Sequence, residues 1–443
     1  MRGIRPPVDP GPAGWARLLP DPDPPTPLER AATADWLVIG AGFAGLAAAR
    51  RLSQLCPGDR IAVLEAHRVA DGPAGRNSGF MIDLPHDLAS ENYAGAVEAD
   101  LAQIADNRHA IAFAARMAEA FDIGPEGFAR TGKINAAATA KGARHNADFA
   151  RHLAALGEPC ERLDAADMHT LTGTRFYREG LFTPGTAMIQ PALFVRGVAR
   201  GLRSNRIAIH ELSPVTALER KGDWVATTPR GSVTAPRVIL AVNGHLERFG
   251  HMRGRLMHVF TYASMTRALT ADETKHLGGA PVWGLTPADP LGTTVRRISG
   301  TGGDRIVVRN RFTYEPGLEV SDARLARICR AHDRSFAARF PMLAGVGMEY
   351  RWGGRLCLSR NNVQVIGALE PGLWSACCQN GLGTAKGTLA GLLAAEAAAG
   401  VGSPALSRAL AAAPPARLPP RPLIRAGAAA RLRWGEWTAG REL

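Results

Sequence analysis

With 443 residues, 46% of them hydrophobic and 21% charged, the chain has the composition of a globular protein large enough for two domains, which excludes disorder over most of its length. The formal net charge is +13, but only 5 of the 53 basic residues are lysine, and a Pro/Ala/Arg-rich tail from Val401 to Leu443 carries seven arginines against two glutamates. No aromatic-interleaved basic motif accompanies that charge, so no nucleic acid is expected as a partner. There is no run of about 18 apolar residues to span a bilayer, and the Pro-rich stretch Met1 to Pro27 lacks the apolar centre of a signal peptide, so a cytoplasmic location is expected. The six cysteines, Cys56, Cys160, Cys329, Cys357, Cys377 and Cys378, show no metal-ligand spacing and read as reduced thiols, with no metal site.

The first informative stretch is Trp36-Leu37-Val38-Ile39, a short buried strand that runs into Gly40-Ala41-Gly42-Phe43-Ala44-Gly45 and then a helix to Leu55. Gly40 permits the tight turn, Gly42 lets the backbone approach a pyrophosphate, and Gly45 lets the helix pack against the strand. The helix N-terminus, with Phe43 and Ala44, then faces the phosphate charge. A second strand, Ile61 to Leu64, ends in Glu65 and Ala66, and the Glu65 carboxylate is placed to accept hydrogen bonds from ribose hydroxyls.

Next comes Gly72-Pro73-Ala74-Gly75-Arg76-Asn77-Ser78-Gly79, a loop of small residues with exposed amides and one arginine, suited to an anionic cofactor. Together with the glycine turn it resembles the D-amino-acid oxidase-like flavoprotein superfamily, in particular its glycine oxidase, sarcosine oxidase and γ-glutamylputrescine oxidase branch. There, a Gly-Ala-Ser-Gly-Arg-Asn-like loop follows the second strand. The resemblance implies FAD, with Gly75, Arg76, Asn77 and Ser78 along the pyrophosphate and flavin ring. Ala74 stands where the family often has serine. It also implies that Val215 meets the adenine through its backbone, and that Asn243, in the turn Ala241 to Gly244, passes near the pyrophosphate. Gly381, Leu382, Gly383 and Thr384, which open a helix from Ala385 to Ala399, would sit at the pyrimidine edge of the flavin. Strands at 207–211, 215–218, 224–228 and 238–241 are expected to complete the cofactor domain.

The fold class that follows is α/β (α+β overall), a Rossmann-type FAD-binding domain with a second, mixed β-sheet substrate domain. The FAD-binding domain is discontinuous, at 30–90, 187–250 and 350–405. Residues 91–186 and 251–349 form the substrate domain, 1–29 an N-terminal extension and 406–443 a tail outside the core. In the substrate domain a helix is predicted from Ala96 to Phe121, a strand near Gly132 to Asn135, and longer strands at Met257 to Thr266, Thr293 to Ser299 and Arg305 to Phe312. By the resemblance these form a roof over the flavin.

Substrate candidates are His258 and Tyr262, on one face of a roof strand, with His86, Arg309 and Arg355. In the glycine oxidase branch a Trp-x-Gly-x-Arg-Pro pattern carries the arginine that clamps the substrate carboxylate. Here Trp352-Gly353-Gly354-Arg355-Leu356-Cys357 puts Leu356 in that slot and turns Arg355 to the opposite face. The implied reaction oxidises a C–N bond of a small amine or amino acid: hydride passes to flavin N5 and the imine hydrolyses to a carbonyl. The arginines at 296, 297, 305, 309, 351 and 355 point to an acidic substrate. Sarcosine oxidase relatives carry flavin on a cysteine, but Cys357 does not match that local pattern, so FAD is expected to be noncovalent. The electron acceptor is O₂ or another oxidant, because none of the five lysines falls on the strands at 257–266 or 305–312. Two other readings stay open: a flavoenzyme acting on a modified base in RNA, and a non-catalytic FAD-bound assembly subunit.

Overall fold

A computed structural model of the chain describes residues 3–85 and 95–443. Its centre is a six-stranded sheet in the order Ile207–His210, Ile61–Leu64, Trp36–Ile39, Arg237–Leu240, Leu373–Cys377, Val365–Glu370. The first five strands run parallel and the last is antiparallel. Trp36–Ile39 and Ile61–Leu64 are buried at every position, as strands covered on both faces must be. Helix Phe43–Leu55 lies against helix Ala385–Ala399 so closely that a Cβ on Gly391 would come within 1.9 Å of the Ala44 carbonyl oxygen. The chain order reverses between Trp36–Ile39 and Arg237–Leu240, which opens a crevice beyond Ile39 and Leu240 at the carboxyl ends of the strands.

The segments 215–218 and 224–228 do not join this sheet. Ala217–Lys221 and Asp223–Thr227 form a hairpin through Gly222 (φ 80°) and pair on into a separate four-stranded sheet with Ser232–Ala235 and Ala31–Thr33. Asp223–Thr227 alternates exposed and buried positions, so it has one solvated face and could not sit in a sheet covered on both sides.

The roof is an eight-stranded sheet in the order Met348–Ser359, Leu256–Thr266, Arg305–Tyr314, Thr294–Ile298, Trp283–Pro287, Lys133–Ala137, Glu179–Thr183, Glu161–Leu163. All neighbours are antiparallel except Trp283–Pro287 with Lys133–Ala137. Helix Asp322–Arg339 covers one face, where Phe336 and Phe340 pack with Val295, Ile306 and Val308. From the other face Ala263, Met265, Val307 and Trp352 enter the core shared with Trp15 and helix Phe43–Leu55.

Both chain ends are built into the molecule. Trp15, from the N-terminal extension, is fully buried, and its indole N–H donates to the Asn77 carbonyl at 2.8 Å. The tail read as lying outside the core forms helix Pro404–Ala411, packed on Ala385–Ala399, and helix Arg421–Ala439, packed on Arg305–Tyr314. The buried Glu442 carboxylate accepts from the Ala138 and Thr139 amides and the Thr139 hydroxyl. Its Pro/Ala/Arg-rich composition placed the tail outside the core, whereas these contacts join it to helix Ala385–Ala399 and to the roof through a few apolar side chains and one buried carboxylate.

Candidate cofactor and active site

One cavity occupies the crevice. Its floor is the turn Gly40 to Ala44, with Glu65 and Ala66 on one side and Val215, the turn Ala241 to His245, and Gly381 and Gly383 around it. Gly40 has φ +105°, and a Cβ there would stand 2.6 Å from the Ala241 oxygen; a Cβ on Gly45 would come within 1.7 Å of the Gly40 oxygen. Those two glycines are demanded by the protein itself. Gly42 differs, because its Cβ would meet only the Ala74 methyl at 3.4 Å. It faces the cavity, so the missing side chain leaves room for a ligand against the start of helix Phe43–Leu55, where no side chain caps the free N–H groups. The Glu65 carboxylate accepts from the Ala41 amide at 2.9 Å and the His67 amide at 3.0 Å. Burial pushes its pKa up while those two N–H groups pull it down. This cradle of open amides beside a buried acid has the chemistry an ADP moiety needs.

The small-residue loop divides its labour differently from the sequence expectation. Asn77 lines the cavity with Gly72, Pro73 and Ala74, its amide bridging the Ala74 carbonyl and the Gly79 N–H. Arg76 does not line it. Its buried guanidinium donates to the carbonyls of Asp71, Pro10 and Gly11 and so pins the N-terminal segment. Ser78 is held from outside by Arg296, whose Nη1 donates to the Ser78 carbonyl at 3.0 Å and the Ile189 carbonyl at 2.8 Å. Gly75 serves a tight turn, its Cβ position lying 1.8 Å from the Ala70 oxygen. Leu382 packs with Phe80, Ile82 and Met188, and the Thr384 hydroxyl donates to the Phe80 carbonyl at 2.6 Å, so both brace the helix start behind Gly381 and Gly383. Asn243, at φ 47°, accepts from the Cys378 amide at 3.1 Å and ties two turns together under the cavity.

Of the substrate candidates among the described residues, only Arg355 lines the cavity, and Leu356 and Cys357 line it too. Strand alternation had turned Arg355 away from the Leu356 side. Met348–Ser359 is, however, the edge strand of the roof, so the cavity reaches residues of both faces around its open side. The guanidinium is committed: Nη2 pairs with Asp9 Oδ2 at 2.9 Å, the two side chains only 6% and 5% exposed, and Nη1 approaches His245 Nε2 at 3.2 Å. Nε of Arg355 and Oδ1 of Asp9 have no hydrogen-bond partner among the described residues. His258, just behind the turn at Gly244, donates from Nε2 to Glu247 at 2.6 Å.

Tyr262 does not line the cavity. With Phe260 it packs under Leu325 and Cys329 of helix Asp322–Arg339, and its hydroxyl bonds Thr313 at 2.5 Å. Arg309 does not line the cavity either; its guanidinium stacks over the Phe312 ring at 4.7 Å. His86 lies outside the described residues. The other roof arginines are spent on structure. Arg305 pairs with Glu349, Arg351 with Asp333, and Arg297 donates to the Gly278 carbonyl.

Sequence reasoning missed two contributors. His245 follows the Asn-Gly turn directly and lines the cavity. Burial, reinforced by the Arg355 guanidinium, holds it well below the usual imidazole range, so it is a neutral base at neutral pH. The segment Ile4 to Pro7 closes one side of the cavity, with the Pro7 carbonyl 2.9 Å from His67 Nε2 and the Ile4 amide donating to Thr216. Nothing in its Pro-rich composition marks such a role, whereas the position of His245 beside a glycine turn could have been noticed. Cys378 and burial push the Cys357 thiol well up, which makes it a poor nucleophile.

Similarity to known proteins agrees with this geometry. The chain is 24% identical over 383 residues to the probable oxidoreductase OrdL of Rhizobium meliloti, covering 83% of each protein. It is 25% identical over 376 residues to gamma-glutamylputrescine oxidoreductase of Escherichia coli, covering 82% of this chain and 83% of that protein. Among solved structures, glycine oxidase from Geobacillus kaustophilus superposes with a TM-score of 0.67 at 18% identity, over 84% of this chain and 96% of the other. Iminodiacetate oxidase from Chelativorans sp. BNC1 gives 0.64 at 18%, over 83% and 96%. The family described as FAD dependent oxidoreductase (DAO) matches residues 35–397, from the strand that leads into the glycine turn to the last turn of helix Ala385–Ala399. The chain therefore belongs to the DAO family of FAD-dependent oxidoreductases and is an FAD-dependent enzyme.

Proposed function

We propose that the enzyme oxidises the C–N bond of a small amine or amino acid that carries an acidic group, and that Arg355 and His245 are its substrate-site residues. The reading rests on one observation, the contact of a buried guanidinium with a buried neutral imidazole on the wall of the cofactor cavity. The names of the relatives, a gamma-glutamylputrescine oxidoreductase and a glycine oxidase, support the same substrate class.

Gly40, Gly42, Phe43, Ala44 and Glu65 would hold the ADP half of FAD, and Asn77, Asn243, Gly381 and Gly383 the remainder. Bound FAD supplies the acceptor for the hydride on the carbon beside nitrogen, and the imine product hydrolyses to a carbonyl. The chain's own residues prepare that step. Arg355 orients the acidic group, its buried Nε having no partner of its own although Asp9 already matches its charge. His245, kept neutral with Nε2 facing Arg355 Nη1, fixes the guanidinium and adds no second positive charge beside the substrate nitrogen, whose ammonium proton goes to solvent before the amine lone pair is used. Leu318 and Leu356 present apolar surface to the cavity and limit water there.

The test is anaerobic mixing of the yellow enzyme with a panel of amines, read as flavin bleaching. An acidic amine should bleach the flavin and its neutral amide should not, and Arg355→Met should lower kcat/KM for the acid by tens to thousands of times. Equal bleaching by acid and amide, with no effect of Arg355→Met, overturns the acidic-substrate reading. Mixing the reduced enzyme with air then decides between O₂ and another electron acceptor.

A further inference from the structure

Helix Arg421–Ala439 has two apolar faces, and only one is covered. Ile424, Ala428, Leu432, Gly435 and Ala439 turn towards the roof, at a spacing that keeps them on one side of a helix. On the opposite side, at 100° per residue, lie Leu423, Ala426, Ala430, Trp434 and Trp437. Leu423, Trp434 and Trp437 are the three most exposed large apolar side chains described, at 66%, 66% and 72%. The two indoles pack against each other at a tilt of 43°, centroids 5.1 Å apart, and stand out from the body as one ridge.

Positive charge surrounds the ridge. Arg431 and Arg433 flank it on the helix. Arg425 and Arg433 share a cleft with Arg327 and Arg334 of helix Asp322–Arg339 and with Arg311 and Arg324. The two carboxylates in that cleft, Glu436 and Glu315, are already paired with Arg311 and Arg324, so the remaining arginines leave it strongly cationic.

We propose that this face docks the enzyme on an anionic phospholipid surface, with Leu423, Trp434 and Trp437 at the headgroup–acyl boundary and the arginine cleft on the lipid phosphates. A tryptophan ridge bordered by arginines is what the interface between lipid and water selects. No single helix among the described residues is long and apolar enough to cross a bilayer, so the contact is peripheral. A second copy fits less well. The three apolar side chains expose on the order of 400 Å², about half of the ~800 Å² per partner of a stable interface, and two such faces would oppose arginine to arginine.

The experiment uses the full chain with FAD bound. It is sedimented with vesicles of phosphatidylglycerol and phosphatidylcholine, or of phosphatidylcholine alone, at low and high salt. Binding should occur to the anionic vesicles, weaken with salt, and fall at least about tenfold in Trp434→Ser/Trp437→Ser and about thirtyfold in Arg425→Gln/Arg433→Gln, since each interfacial basic residue contributes about 1 kcal/mol. All four side chains are exposed, so flavin content and Tm should not change in either variant. Absence of binding to anionic vesicles, equal binding to neutral ones, or binding unaffected by both variants overturns the proposal. Concentration-dependent self-association that the tryptophan variant abolishes would assign the face to a second copy instead.

Discussion

The floor of the cavity and the wall above it are made by opposite means. The floor is five consecutive residues, Gly40 to Ala44, and works through backbone N–H groups and the absence of side chains. The wall joins Arg355 to Asp9, 346 positions away, and to His245, 110 positions away, and works through charge taken out of water. A site built on omission is sensitive to any added atom. One built on a buried ion pair is sensitive to any lost partner, because the charge left behind has no solvent to turn to.

The largest expected effect separates two glycines of the floor. Gly42→Val should give a folded protein without FAD, because the added methyls enter the ligand's space and touch only Ala74 in the protein. Gly45→Val should fail to fold, because its side chain meets the Gly40 backbone. Flavin absorbance and circular dichroism distinguish the two, and full flavin in the Gly42 variant removes the ligand from the floor.

On the wall, Arg355→Met should cost about 3–5 kcal/mol of stability, since it strands the buried Asp9. Adding Asp9→Asn should restore most of the loss in urea unfolding. If the single variant is as stable as the parent, the wall is not an ion-pair structure and the contrast with the floor fails.

Acid sharpens the contrast again. His332, beneath the roof, accepts from the Ser264 hydroxyl at 2.7 Å, and burial lowers its pKa from 6.5 to about 3. The folded-state value is the lower one, so the unfolded chain takes the proton first. The contribution is complete above about pH 6.5 and is lost as the pH falls towards 3. By pH 5 the loss is about 2 kcal/mol, and His332→Gln should flatten the unfolding midpoint against pH by about one proton.

The smallest effect belongs to Tyr262→Phe. It removes one hydrogen bond to Thr313 on the face away from the cavity, so it should cost about 1 kcal/mol of stability and leave kcat/KM unchanged. A large fall in kcat/KM would return Tyr262 to the active site.

The floor was legible in the sequence. A buried strand, a glycine turn and a helix are contiguous, and the reasons for Gly40, Gly42 and Gly45 are local backbone geometry, so their order on the chain is their order in space. Helix Ala385–Ala399 and the long roof strands were legible on the same ground, because periodicity is a property of consecutive residues. What each long side chain meets depends on contacts between distant parts of the chain. Arg76, Arg296 and Arg355 are alike in sequence, yet the first pins the N-terminal segment, the second clamps a loop from outside, and the third faces the cavity. The N-terminal segment and the tail carried no signal for their places, since proline and arginine composition says nothing about where a chain will lie. Alternation along Met348–Ser359 also misled, because it fixes the two faces of a strand but not whether that strand is the sheet's edge. A charged group's role is set by its partner, and the path of the chain, not its local pattern, brings the partner within reach.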